Sequence, residues 1–123
     1  MNNKIRVETE ADTLCLVGNE ICAVVHSKEH IFGLSSVMRM VVFTTDSGPL
    51  QDDMGLAIEV ENGDVIMIMS EHKCFSPFLF EQIGKALPVD YQGIIDASAS
   101  TSNGVFEIYV KDGLREGAAE EEI

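Results

Sequence analysis

Basic residues are scarce in this chain. Its 123 residues hold 8 Lys and Arg against 21 Asp and Glu, a formal net charge of −13. Binding to a phosphate backbone needs clustered Lys and Arg, so the composition argues against nucleic acid as a partner. It argues equally against an anionic membrane surface. No run of residues approaches the roughly 18 apolar positions of a membrane span. The first residues, Met1-Asn2-Asn3-Lys4, lack the apolar stretch of an export signal, which points to the cytoplasm. Cysteine is also sparse. Cys15, Cys22 and Cys74 are odd in number and contain no CxxC, which suits a reducing compartment. Cys15 and Cys22 lie in apolar runs and read as small buried hydrophobes. There is no G-x-S-x-G elbow and no glycine-rich phosphate loop. The expectation is therefore a non-catalytic protein without a cofactor.

What is present is an ordinary globular composition, 46% hydrophobic, with enough length for one domain. Residues 1–114 read as a single domain and 115–123 as an acidic tail. Glu116, Glu120, Glu121 and Glu122 account for −4 of the charge, so residues 1–115 are themselves strongly acidic at −9. Acidity of this size means solubility, or a face that meets a basic partner.

Hydrophobic periodicity sets out the elements. Ile5 to Glu8 alternates as a half-buried strand. Thr13–Val17 and Glu20–Val25, separated by Gly18-Asn19, read as a hairpin. Residues 26–36 read as a turn with an irregular or helical piece. Arg39 to Thr45 is a strand with both faces apolar, hence central. Leu56, Ile58 and Val60 alternate with Ala57, Glu59 and Glu61. Asn62-Gly63 then supplies the signature of a type I′ turn into Asp64–Met69. Ser76-Pro77 opens a helix, with Ser76 as its cap, whose stripe is Leu79, Ile83 and Leu87. Pro88 ends it. Asp90 caps a second helix that turns Ile94, Ile95 and Ala97 inward. A polar turn, 98–103, leads to a last strand, 104–110. The class is α+β: an antiparallel β-roll or meander of about six strands packed against one or two late helices.

The landmarks D-S-G-P-x-x-D-D at 46–53, Leu87-Pro88 and Ser100-Thr101-Ser102-Asn103 resemble those of a group of small uncharacterised bacterial proteins. The order of elements over residues 39–110 also resembles the pleckstrin-homology-like roll. In that group the two polar loops are the shared landmarks. The resemblance thus implies a recognition surface built from Asp46, Asp52, Asp53, Ser100, Ser102 and Asn103.

Metal leads are few. His26 and His30 at i, i+4 and His72 and Cys74 at i, i+2 together have the nitrogen and sulfur donors of a zinc site. Asp46, Asp52 and Asp53 are hard oxygen donors without the spacing of a calcium loop. Glu59, Glu61 and Asp64 cluster at a hairpin tip and read as an edge guard against sheet-to-sheet pairing. Met67 and Met69 alternate with Ile66 and Ile68. They read as core, with an adaptable binding surface as the alternative.

The leading functional expectation is an acidic interaction module for a basic protein partner. An immunity- or antitoxin-like inhibitor is its sharpest version. A small-ligand or metal-binding domain, or an enzyme, using loops 46–53 and 98–103 is the rival. A homodimer formed through a free sheet edge is a further option.

Overall fold

The computed structural model describes residues 4–44, 54–99 and 104–111. These form eight strands: β1 (Lys4–Val7), β2 (Thr13–Val17), β3 (Glu20–Val25), β4 (Lys28–Gly33), β5 (Val37–Thr44), β6 (Met54–Val60), β7 (Val65–Met69) and β8 (Gly104–Val110). A π-helix spans Pro77–Ile83 and runs into the short α1 (Gly84–Ala86). Helix α2 covers Tyr91–Ala99. The α+β class is as expected. The strands divide into a five-stranded sheet, order β1-β7-β6-β5-β8, and a three-stranded sheet, order β2-β3-β4. β1 joins β7 in parallel, so the larger sheet is mixed where an antiparallel roll was expected.

The additional strand is β4. Residues 28–33 pair with β3 from Val25↔Lys28 to Glu20↔Gly33, where an irregular or helical piece was expected. The cause is the turn. His26 and Ser27 both take positive φ, 54° and 64°. That is a two-residue hairpin of the type I′ kind, made without the Gly or Asn that announces one. Left-handed backbone costs an L-residue roughly 1–2 kcal/mol. His26 is held there by its N–H, which donates to the Asp12 carboxylate at 3.3 Å.

The β6–β7 connection departs from expectation by one residue. Only Gly63 has positive φ, 91°. Gly63 N–H donates to Val60 C=O at 2.9 Å, and Val60 N–H donates to Asp64 C=O at 3.1 Å. This is a three-residue loop, a tight turn followed by a left-handed glycine, not a two-residue type I′ turn. It pairs Ile58 with Ile66 and Ala57 with Met67. Glu59 lies near the end of β6 and Glu61 opens this loop between two interior strands, so they guard no sheet edge. Asp64 is buried and braced by Asn62.

One continuous core joins the sheets and helices. The larger sheet contributes Ile5, Val7, Ile66, Ile68, Leu56, Ile58, Met40 and Val42 from a single face. Against these pack Leu14, Ile21 and Ala23 of the smaller sheet, Phe78, Leu79 and Ile83 of the π-helix, and Ile94 and Ala97 of α2. Ile95, expected inward, is 60% exposed. Ser76 makes no side-chain cap. Asp90 caps as expected, its Oδ1 accepting from Gln92 N–H at 3.0 Å and Gly93 N–H at 3.3 Å.

Two sheet edges are partly occupied. Leu16 N–H, on the outer edge of β2, donates to Gln82 Oε1 of the π-helix at 2.8 Å. Ile108 C=O of β8 accepts from Asp90 N–H at 2.7 Å. β4 forms the other edge of the smaller sheet, where exposed Lys28 and Glu29 oppose pairing with another chain.

Candidate functional site

Side chains alternate across a strand, so a sheet with one buried face presents the intervening residues on the other. On the larger sheet that second face carries Val41, Phe43, Ala57, Met67 and Met69, all half-buried, with Val105 71% exposed. They are register neighbours. Ala57 faces both Val41 and Met67, Gly55 faces both Phe43 and Met69, and Phe43 faces Val105. Gly55 is the floor of this patch: a Cβ there would lie 2.5 Å from Phe43 Cζ and 2.8 Å from Met69 Sδ. The ring and the thioether thus close over the glycine. The expectation that Met67 and Met69 belong to the core is corrected, whereas Met40, on the opposite face, is fully buried.

Charge lies beyond the patch on two sides. Toward one end of β5, Arg39 Nε pairs with Glu107 Oε2 at 3.2 Å, an exposed ion pair of little energetic weight. At the other end, Met69 lines a cleft of about 460 Å³ together with Glu8, Glu10, Glu71, His72 and Lys73. Three carboxylates and one ammonium make this cleft a site for positive charge. Apolar face and acidic cleft are continuous through Met69.

The cleft is built on a fixed polar frame. Asp12 is 2% exposed. Its Oδ2 accepts from Glu8 N–H at 3.0 Å and Thr9 N–H at 2.9 Å, and its Oδ1 from His26 N–H. Bonds from the Thr9 and Glu8 amides, aided by His26, hold the carboxyl down from 3.8 to about 2, against the opposing effect of burial. Across the cleft, His72 Nε2 lies 2.8 Å from Thr9 C=O and His72 Nδ1 lies 3.1 Å from Cys74 N. A carbonyl only accepts and an amide N–H only donates. The network therefore assigns the neutral tautomer with the proton on Nε2.

A carboxyl whose folded pKa is depressed adds stability above its unfolded pKa and loses it as pH falls through the folded value. Asp12 thus supports the fold fully above about pH 4, and its contribution fades toward pH 2. Asp12→Asn lowers the melting temperature at pH 7 more than neutralising the exposed Glu20 does. It also flattens the pH dependence of melting between pH 4 and pH 2. Melting curves followed by circular dichroism across that range measure both effects.

The metal leads are not assembled. His26 occupies the β3–β4 turn and His30 the strand β4, so no helix aligns them. His72 and Cys74 lie in the turn after β7 and not in a strand. Both nitrogens of His72 are already hydrogen-bonded. Among the described residues no three His, Cys, Asp or Glu side chains group to hold a metal. Asp46, Asp52, Asp53, Ser100, Ser102 and Asn103 lie outside the described residues. The strand ends that carry those two segments, Thr44, Met54 and Gly104, are register neighbours beside Phe43, Gly55 and Val105. Cleft residues Glu8, Glu10 and Glu71 went unnoticed in the sequence because strands far apart in the chain, β1 and β7, bring them together.

No family model, curated protein or solved structure matches this chain. Among the described residues no helix is long and apolar enough to cross a membrane.

Proposed function

We propose that this chain is a non-catalytic cytoplasmic interaction module whose partner is a basic protein segment with apolar anchors. The observation that carries the reading is the continuity, through Met69, of an apolar methionine-bearing sheet face with an acidic cleft. Methionine side chains adapt their shape to a partner. Glu8, Glu10 and Glu71 complement a lysine or arginine that follows the apolar anchors. A charge-complementary inhibitor of a basic surface is one member of this class.

The test uses a defined probe, an amphipathic peptide of alternating leucine and lysine blocks. The whole chain should bind it with an affinity that falls as salt is raised. Converting Glu8, Glu10 and Glu71 together to Gln should weaken binding roughly 10-fold, about 0.5 kcal/mol for each rim charge. An affinity indifferent both to salt and to the triple substitution would sink the proposal.

A further inference from the structure

Cys15 and Cys22 are not core residues. Both are half-buried on the outer face of the smaller sheet, and they are direct register partners in the β2–β3 hairpin. The two-residue loop at Gly18-Asn19 makes Val17↔Glu20 a hydrogen-bonded pair. Pairs alternate along an antiparallel ladder, so Leu16↔Ile21 is non-bonded and Cys15↔Cys22 is bonded. The Leu16 N–H agrees with this register, since it points away from β3 to Gln82. A bonded pair holds its Cα atoms about 5.5 Å apart, inside the span of roughly 4.4–6.8 Å that a disulfide bridges, while its Cβ atoms, also about 5.5 Å apart, must close to roughly 3.5–4.5 Å by a local shift of the two strands. Their neighbours on this face, Val17 and Ile31, are 62% and 50% exposed, so a small reagent reaches it from solvent. Cys74 is on neither strand of this hairpin.

We propose that Cys15 and Cys22 form a dithiol site that a low-molecular-weight disulfide converts into an intrachain disulfide across β2 and β3. The Cys15 thiol loses its proton and attacks one sulfur of the reagent RSSR. A Cys15–S–S–R bond forms and RS⁻ leaves. Cys22 then loses its proton and attacks Cys15 Sγ, forming the Cys15–Cys22 bond and expelling the second RS⁻. Both leaving thiolates take up the released protons. Two protein thiols are oxidised and one reagent disulfide is reduced to two thiols. Burial, and then the neighbouring Cys15, Glu29 and Glu20, push the Cys22 thiol up, so its attack relies on the nearness of Cys15 Sγ across the hairpin and not on an abundance of thiolate. Glu20 and Glu29 lie beside the pair, so the site favours a cationic disulfide over an anionic one.

The experiment treats the folded full chain with cystamine, quenches with acid, alkylates the remaining thiols and maps peptides by mass. Two of the three thiols should be lost together, in a peptide pair linking Cys15 to Cys22, while Cys74 is recovered alkylated. Cys22→Ser should stop at the mixed disulfide on Cys15. Stable mixed disulfides on the unsubstituted chain, or loss of Cys74 as fast as the pair, would overturn the proposal.

Discussion

Gly84→Ala should lower the melting temperature by roughly 10 °C or more, corresponding to about 3 kcal/mol. A methyl at this position would overlap the Leu79 carbonyl oxygen and lie 2.5 Å from the Tyr91 hydroxyl. Leu79 is five residues earlier in the chain, the separation that π-winding over Pro77–Ile83 brings together. A backbone oxygen cannot swing aside as the end of a side chain does. The hydroxyl is held as well, because Tyr91 donates to Gly84 C=O at 3.1 Å and its ring stacks on Phe80 at 6.3 Å. Tyr91→Phe in the same background should therefore fail to restore stability, since the Leu79 overlap remains. Gly33→Ala is the control. Its methyl meets only Ser35 Oγ, at 3.8 Å, and should shift stability by less than about 0.5 kcal/mol. Urea and thermal melts of the three variants decide the matter. Equal effects at Gly33 and Gly84 would mean that the π-helix is not where the constraint lies.

The second large effect separates the two faces of the five-stranded sheet. Met40 is fully buried against the core, so Met40→Ala removes its contacts and leaves a cavity, costing about 3 kcal/mol. Met67 is half-buried on the opposite face, and Met67→Ala should cost about 1 kcal/mol or less. The chemistry of the two substitutions is the same. The difference reports which face each residue occupies, and it is read from the denaturant midpoints of the two variants.

That contrast also shows what the sequence could and could not convey. The alternation over 56–60 and the Asn62-Gly63 pair located the β6–β7 hairpin. They did not determine its loop length. A two-residue loop at Asn62-Gly63 would set Glu61 opposite Asp64 and hence Ile58 opposite Met67, turning the methionines inward. The actual loop holds one more residue and sets Ile58 opposite Ile66. Since side chains alternate with period two, that one-residue change moves Met67 and Met69 to the outer face. Ile66 and Met67 are both apolar, so hydropathy alone cannot choose between them. β4 was hidden for a related reason: the turn before it uses His26 and Ser27 in place of glycine or asparagine. Helix positions were legible from Pro77, Pro88 and Asp90. The π-winding was not, because it depends on packing around Gly84 and Tyr91. The acidic cleft was legible only as net charge. Its carboxylates come from residues 8–10 and 71, which the parallel β1–β7 pairing unites.

The most direct test of the interaction face is a methyl NMR titration of chain labelled at its methionine methyl groups, with the leucine–lysine peptide as ligand. The resonances of Met67 and Met69 should move as peptide is added, with saturation shifted to higher peptide concentration by salt, while Met40 stays in place. Binding that leaves Met67 and Met69 unmoved would contradict the account.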